Sequence, residues 1–191
     1  MTATTRKTGF SLPAWAVLTV IALCAALLLS VTYQATKDVI AARAQADAAA
    51  ARLALLPEAD RFEAVDAPDG LTEVYRALNE RGETAGFIAV LAVNGFGGEI
   101  EVTVGIDTAG CLTGVRVGGT QFSETPGLGA KAREAAFTDQ FVGLAAPVAL
   151  SKDGGTVDAV TSATITSRAI VLAVNTAADA LRPLLQPVSA P

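Results

Sequence analysis

A long uncharged apolar run near the amino terminus constrains this chain more than any other feature of its sequence. No charged residue stands between Lys7 and Lys37, and residues 12–31 are almost wholly apolar. About 20 residues at ~1.5 Å per residue cross the roughly 30 Å hydrocarbon layer of a bilayer as a helix. Trp15 and Tyr33 stand near the two ends, where amphipathic rings prefer to lie. The sequence therefore predicts a transmembrane helix over residues 13–33.

A cleaved signal peptide and a lipoprotein signal are the competing interpretations of this run. The run exceeds the about 7–15 apolar residues of a signal-peptide core, and no clear cleavage site follows it. Cys24 is flanked by apolar residues, which is a poor context for lipid attachment. We therefore expect a retained anchor behind a short polar head, residues 1–12. The charges of Arg6 and Lys7 lean only weakly towards a cytoplasmic amino terminus.

The next segment, residues 34–57, is rich in alanine and carries widely spaced charges. Alanine has the highest helix propensity, so we expect the membrane helix to continue as a helical stalk in water. Pro57 is expected to end the stalk.

Beyond the stalk, residues 58–182 show the short alternating patterns that are typical of strands. Strand-like segments at 73–78, 87–93, 99–106 and 111–117 are separated by turns containing Asn, Asp and Gly. Successive strands joined by short turns predict an antiparallel meander. The predicted fold class is α+β, with an antiparallel sheet and packed helices.

The last third of this domain is predicted to mix helices with short strands. We expect a helix over residues 132–143, short strands at 148–150 and 157–160, and a final helix over 163–181. The final helix is expected to stop at Pro183, ahead of a tail over 183–191. Its predicted buried face consists of Ile165, Leu172, Val174, Ala178 and Leu181.

Composition excludes several classes of function. The formal net charge is −5 and no basic cluster is present, which argues against nucleic-acid binding. The chain has no histidine, so classical zinc sites and Ser-His-Asp or Cys-His catalytic sites are excluded. Cys24 and Cys111 lie in different parts of the chain and are not expected to form a disulfide. We expect no metal site and no catalytic residues.

A cluster of five hydroxyl side chains precedes the final predicted helix: Thr161, Ser162, Thr164, Thr166 and Ser167. The start of a helix offers free backbone N–H groups and the positive end of the helix dipole, which together suit a phosphate. Ser and Thr are also ordinary helix N-caps, and composition alone favours that simpler interpretation.

The order of the residues in this segment favours the phosphate-binding interpretation over an ordinary helix N-cap. The segment resembles the flavinylation motif of the RnfG/NqrC FMN-binding domain family, as Asp158-Ala159-Val160-Thr161-Ser162-Ala163-Thr164. In that family the final Thr carries FMN through a phosphoester bond, so the resemblance implies that Thr164 is the attachment residue. Thr161, Ser162 and Ala163 are expected to bind the cofactor beside it, and Asp158 is a candidate either for an accessory role or for an ordinary cap or turn residue. Ser162 departs from the family, in which Gly is more usual.

A second resemblance lies in the loop after the predicted meander, Glu124-Thr125-Pro126-Gly127-Leu128-Gly129. An ordinary loop before a helix is the simpler interpretation. In the same family this loop lies beside the isoalloxazine ring, and the spacing from the loop at residues 95–98 and from residues 104–107 also matches. The resemblance implies cofactor-binding roles for Glu124, Thr125, Gly127, Leu128, Gly129 and, as an accessory, Lys131. Phe122 stands where the family commonly has His.

The resemblance covers about residues 85–182 and is closer to the RnfG type, because NqrC chains are generally longer. It implies an electron-carrying subunit of an Rnf-type complex, which couples electron transfer between ferredoxin and NAD to ion movement. It further implies covalent FMN attached by a magnesium-dependent flavin transferase. The chain would contact other membrane subunits and lie in the bacterial inner membrane, with its amino terminus cytoplasmic and residues 58–182 outside the cytoplasm.

Three alternatives remain from the sequence. The chain could be an NqrC-like subunit of a sodium-pumping NADH:quinone oxidoreductase, or a membrane-anchored assembly module without a cofactor. A flavin reductase is the third, but the sequence contains no dinucleotide-binding fingerprint.

Overall fold

The computed structural model of the protein describes residues 13–185, so the predicted head at 1–12 and the end of the predicted tail, 186–191, lie outside the described residues. The described residues divide into two units, with the boundary between Ala46 and Asp47. The described part of the first unit is wholly helical apart from Pro13, and it belongs to helix α1, Ala14–Leu55. This helix is long and apolar enough to cross a membrane, and its most apolar window is not buried within the protein.

The second unit is built on five strands: β1 (Arg61–Val65), β2 (Glu73–Leu78), β3 (Thr84–Asn94), β4 (Glu99–Asp107) and β5 (Leu112–Gly118). Their order in the sheet is the order in the chain, and each neighbouring pair is antiparallel. The predicted antiparallel meander is therefore confirmed. The α+β fold class is confirmed as well, because helix α3 (Thr164–Leu185) packs against β3 and β4.

Helix α3 presents a nearly continuous apolar stripe to the sheet. Val174, Ala178 and Leu181 are buried, as the sequence predicts. Ile165 and Leu172 are 58% and 63% exposed, so their predicted burial is wrong. The helix is apolar on several sides, and the small residues Ala173 and Ala177 select the face that approaches the sheet most closely. The helix also continues through Pro183 to Leu185, because a proline in the last turn disturbs few further hydrogen bonds.

The opposite face of the sheet receives the last turn of α1, within the second unit. Leu55 and Leu56 pack there with Ala77 and Ile88 in a small apolar cluster. The side chain of Leu55 lies directly over Gly105 and Gly114, a cross-strand pair of β4 and β5. A Cβ at Gly114 would lie 2.8 Å from Leu55 Cδ2, so glycine permits this close approach.

The helix predicted over 132–143 is wrong, because the segment forms three short pieces. A 3₁₀ turn at Gly129–Arg133, helix α2 at Ala135–Thr138 and a 3₁₀ turn at Asp139–Phe141 follow one another. Glu134 has extended backbone angles and interrupts the helical path. Phe137 and Phe141 still meet on one buried face, edge to face, with ring centroids 5.5 Å apart. Packing of these rings outweighs continuous helical hydrogen bonding.

The two short strands predicted at 148–150 and 157–160 do not form. Leu150 and Val157 make one isolated parallel bridge, and the residues around it are turns or irregular. Both side chains are buried in the main core, which accounts for their apolar character without a strand.

Candidate functional site

The amino-terminal end of α3 offers unused hydrogen-bond donors. The backbone N–H groups of Thr164, Ile165 and Thr166 find no acceptor among the described residues, as expected for the first turn of a helix. No acidic residue stands in this first turn, so no carboxylate of the turn offsets the positive end of the helix dipole. The end of the helix therefore has the donors and the electrostatic sign required to bind an anionic group.

The hydroxyl cluster divides into residues with different environments. Thr161 and Ser162 are exposed, and Thr164 is partly buried at the first position of the helix. The Ser167 hydroxyl is buried, accepts a hydrogen bond from the Val160 N–H at 3.0 Å, and donates to the Ala163 carbonyl at 3.0 Å. Ser167 thus holds the entry turn against the helix, and Thr164 is left at the surface with an accessible side chain.

The turn before the helix contains a backbone conformation that L-residues rarely adopt. Ser162 has φ of +62° and is the only non-glycine residue with positive φ within residues 13–185. Glycine adopts this conformation without strain, which gives a physical reason for the glycine usually found at this place in the resembling motif. Serine retains the turn at an energetic cost.

We expect Ser162→Gly to raise the free energy of unfolding by about 0.5–1 kcal/mol, because the strain at positive φ is removed. The matched control is Ser123→Gly, since Ser123 is an exposed loop serine without positive φ. That change only adds freedom to the unfolded chain and should lower stability by a similar amount. Denaturant unfolding of the full chain in detergent measures both. Equal effects of the two substitutions would show that no strain is stored at Ser162.

Glu124 is a buried carboxylate that holds a neighbouring loop. It is only 7% exposed, and its Oε1 accepts hydrogen bonds from the N–H groups of Phe96 at 2.8 Å and Gly97 at 3.1 Å. Hydrogen bonds to an ionised acceptor are stronger than those between neutral groups. The side chain therefore points inward to a backbone loop at residues 95–98.

Two glycines pack against the Glu124 carboxylate so closely that no side chain would fit. A Cβ on Gly95 would collide with Oε1, and a Cβ on Gly129 would collide with Oε2. The same position on Gly129 lies 3.1 Å from the hydroxyl oxygen of Thr166, which is fully buried and has no hydrogen-bond partner among the described residues. The structure thus brings together the 95–98 loop, the 124–129 loop and the first turn of α3.

The other residues singled out in the 124–129 loop shape its backbone. The Thr125 carbonyl accepts from the N–H groups of Leu128 and Ala130, at 3.1 Å and 3.2 Å, and Gly127 has φ of +79°. Leu128 is 42% exposed and Lys131 is exposed as well. These side chains are available to a ligand above the loop.

Asp158 is held through its backbone. Its N–H donates to Gln140 Oε1 at 2.6 Å, and Gln140 Nε2 lies 3.3 Å from its carbonyl oxygen. The side chain of Asp158 is exposed. Sequence reasoning missed Gln140, because no local pattern relates it to a segment 18 residues further along the chain.

One ion pair supports the segment beside the helix entry. Arg168 on α3 contacts Asp153 at 2.8 Å, and both side chains are largely exposed. The hydrogen bond from Arg168, assisted by its positive charge, lowers the pKa of the Asp153 carboxyl below its ordinary value. At this exposure the pair contributes little to stability.

Two aromatic side chains flank the loops. Phe96 in the 95–98 loop is 72% exposed. Phe122 packs partly against the core, with the guanidinium of Arg133 4.8 Å from its ring centroid. Phe122 is thus supported by a cation–π contact.

The sequence of this chain matches a known domain family and known proteins. Residues 95–179 match the FMN-binding domain family. The chain is 34% identical over 168 residues to the G subunit of the ion-translocating oxidoreductase complex of Methanosarcina acetivorans, covering 84% of this chain and 88% of that protein. It is 34% identical over 181 residues to the G subunit of the Na(+)-translocating ferredoxin:NAD(+) oxidoreductase complex of Acetobacterium woodii, covering 83% of this chain and 86% of that protein.

A solved structure shares the fold. The crystal structure of Shewanella oneidensis NqrC is similar with a TM-score of 0.50 and 19% sequence identity, covering 68% of this chain and 70% of that one. At this identity the likeness concerns the fold alone.

Proposed function

This chain belongs to the family of G subunits of ion-translocating oxidoreductase complexes, and we propose that it carries electrons within such a complex through FMN attached covalently to Thr164. The observation that carries the proposal is the first turn of α3. It combines free N–H groups, no acidic side chain and a partly exposed threonine at the residue to which the family motif points.

The residues at the helix entry fit a phosphate in a phosphoester to Thr164. The hydroxyl oxygen of Thr164 would provide the ester link, and the N–H groups of the first turn would donate to the remaining phosphate oxygens. Thr161 and Ser162 add exposed hydroxyls nearby. Bound FMN supplies the one-electron redox chemistry, while the protein binds and orients it.

The flat ring system of FMN would lie over the two loops that Glu124 joins. Phe96 offers an exposed aromatic face in one loop, and Leu128 and Lys131 are exposed in and just after the other. In this proposal Glu124 positions the 95–98 loop and does not contact the ring through its Oε1, because that atom is already engaged by two backbone N–H groups.

Attachment of FMN requires help from outside the chain. A threonine hydroxyl is a weak nucleophile unless a base activates it, and this chain contains no histidine. We therefore propose that a magnesium-dependent flavin transferase makes the bond. The chain is then a substrate of that enzyme and a non-catalytic redox subunit of its complex.

We propose that the chain crosses a membrane once, through α1, the one helix among residues 13–185 that is long and apolar enough to span it. We propose that it lies in the bacterial inner membrane with its amino terminus in the cytoplasm and residues 58–182 outside. Its partners are other membrane subunits of the Rnf-type complex, which transfers electrons between ferredoxin and NAD. An NqrC-like role is the second candidate. It ranks below the G-subunit role because the likeness to NqrC concerns the fold alone.

The proposal is tested by expressing the full chain with a flavin transferase of demonstrated activity and denaturing it in SDS. We expect a fluorescent flavin band at the mass of the chain, because a covalent bond survives denaturation. If the transferase is active and the band shows no flavin fluorescence, covalent flavin is ruled out. The cofactor-free anchored module then becomes the preferred function. NADH oxidation by the isolated chain would favour a flavin reductase instead.

A further inference from the structure

The edge of the sheet formed by β5 borders an open cleft. The cleft has a volume of about 400 Å³ and runs along five consecutive residues of the strand, Thr113 to Val117. One wall is the last turn of α1, with Ala54 and Leu55, and the other is the helical segment from Arg133 to Val142. All of these residues belong to the second unit of the chain.

Two residues on the floor of the cleft, Val115 and Val117, have unpaired backbone groups and are 4% and 6% exposed. The Asp107 N–H donates to the Cys111 carbonyl, and a bulge at Thr113 then shifts the β4–β5 register by one residue. Beyond the bulge Gly114 opposes Gly105, so Gly114 and Arg116 bond to β4, and the N–H and C=O groups of Val115 and Val117 point away from the sheet. None of these outward groups has a hydrogen-bond partner among residues 13–185.

The cleft differs from the rest of the β5 edge. At the start of the strand, Leu112 exchanges hydrogen bonds with Gly143 and Leu144, at 2.8 Å each, so that part of the edge is already covered. Within residues 13–185, Val115 and Val117 make no such hydrogen bond. Natural sheets usually protect an exposed edge, because its free backbone groups are ready to pair with another strand.

The side chains of the cleft indicate the character of a partner. Arg116 and Arg133 both line it, and neither lies within 4.0 Å of a carboxylate in the described structure, while Asp139 is the single acidic residue in the lining. Val142 is 56% exposed in the wall and adds an apolar contact. Such a lining favours an extended segment that carries both carboxylate and apolar side chains.

We infer that an acidic, extended segment of another subunit of the complex adds to β5 as a sixth strand in this cleft. Main-chain hydrogen bonds to Val115 and Val117 would provide affinity, and ion pairs with Arg116 and Arg133 would provide specificity. The inference rests on the proposed function only in taking the chain to be a subunit of a complex. It does not require flavin.

Amide hydrogen exchange tests the inference directly. The exchange of peptides covering residues 112–118 is compared between the full chain alone in detergent and the assembled complex purified from membranes. We expect the Val115 and Val117 amides to exchange rapidly in the isolated chain and to be slowed at least about tenfold in the complex. Amides of β3, which is paired on both sides, serve as the internal reference. Identical exchange at β5 in the two states would overturn the inference.

A charge reversal provides the second measurement. Arg116→Glu places a like charge against an acidic segment and should lower the amount of chain that copurifies with the complex by about tenfold. Arg81→Glu is the matched control, because Arg81 is exposed in the β2–β3 turn and makes no ion pair in the described structure. Equal recovery of the two variants would count against the proposed strand addition.

Two further measurements separate the possible failures. In-gel flavin fluorescence of the Arg116→Glu chain reports on the proposed function, and we expect it to be unchanged because Arg116 is not among the residues that would hold FMN. If the wild-type chain shows no flavin fluorescence but its β5 edge is protected in the complex, the flavin proposal is wrong and the strand-addition inference stands. Protection of the isolated chain that rises with its own concentration would show that a second copy occupies the cleft, and would overturn the assignment to another subunit.

Discussion

Replacing Thr164 by valine should abolish covalent flavin fluorescence, even when an active flavin transferase is present. Valine has nearly the shape of threonine and lacks only the hydroxyl oxygen to which the phosphoester would form. Thr164 is the first residue of α3 and is partly exposed, so the substitution leaves the buried core unchanged. We expect the in-gel signal to fall to background while the yield of folded chain stays the same.

The matched control is Thr161→Val. Thr161 carries an exposed hydroxyl in the same segment but precedes the first turn of the helix. It should retain most of the fluorescence, because it offers only an accessory contact to the phosphate. Full fluorescence from Thr164→Val would place the bond on another side chain, and mass spectrometry of the flavin peptide would then identify the residue.

The second large effect is expected at Glu124, where leucine should lower the free energy of unfolding by about 2–5 kcal/mol. Leucine is apolar and of comparable length, but it leaves the N–H groups of Phe96 and Gly97 without their acceptor. Hydrogen bonds to a charged acceptor contribute about 1.5–3 kcal/mol each, and these two are partly buried. A thermal midpoint lower by on the order of 10 °C should follow. Thermal unfolding of the full chain in detergent, followed by circular dichroism, measures the change.

Glutamine at the same position separates hydrogen bonding from charge. Glu124→Gln keeps a carbonyl oxygen in place of Oε1, so both backbone donors retain an acceptor. We expect a loss of only about 1 kcal/mol, since hydrogen bonds between neutral groups are weaker than those to a carboxylate. If the leucine variant were as stable as the glutamine variant, the carboxylate would not be holding the 95–98 loop.

Much of the architecture follows from local rules that the sequence displays directly. The alternation in β2 and β4, the continuous apolar run of β3 and the turns between the strands predict the meander, because side chains on a strand alternate between two faces and a run apolar throughout is buried on both. The uncharged run before Lys37 predicts a helix long enough for a membrane, and α1 has that length. In both cases neighbours in the sequence decide the conformation.

The errors lie where packing between distant segments decides. The phenylalanines at 137 and 141 have helical spacing, yet the chain around them breaks into short turns that fit beside β5. Ile165 and Leu172 are as apolar as the buried residues of α3, but they lie off the stripe that contacts the sheet. Sequence periodicity cannot rank two apolar faces of one helix, since the partner surface chooses between them.

The sequence by itself determined the membrane helix, the meander and the residue order that makes Thr164 the candidate for flavin attachment. Only the tertiary structure decided the surroundings of that residue. It turned the Glu124 carboxylate inward, placed Gly129 beside the buried hydroxyl of Thr166, and left part of the β5 edge open. The physical reason is that hydrogen bonds and close contacts between segments far apart in the chain have no local signature, because they exist only once the sheet and α3 have packed together.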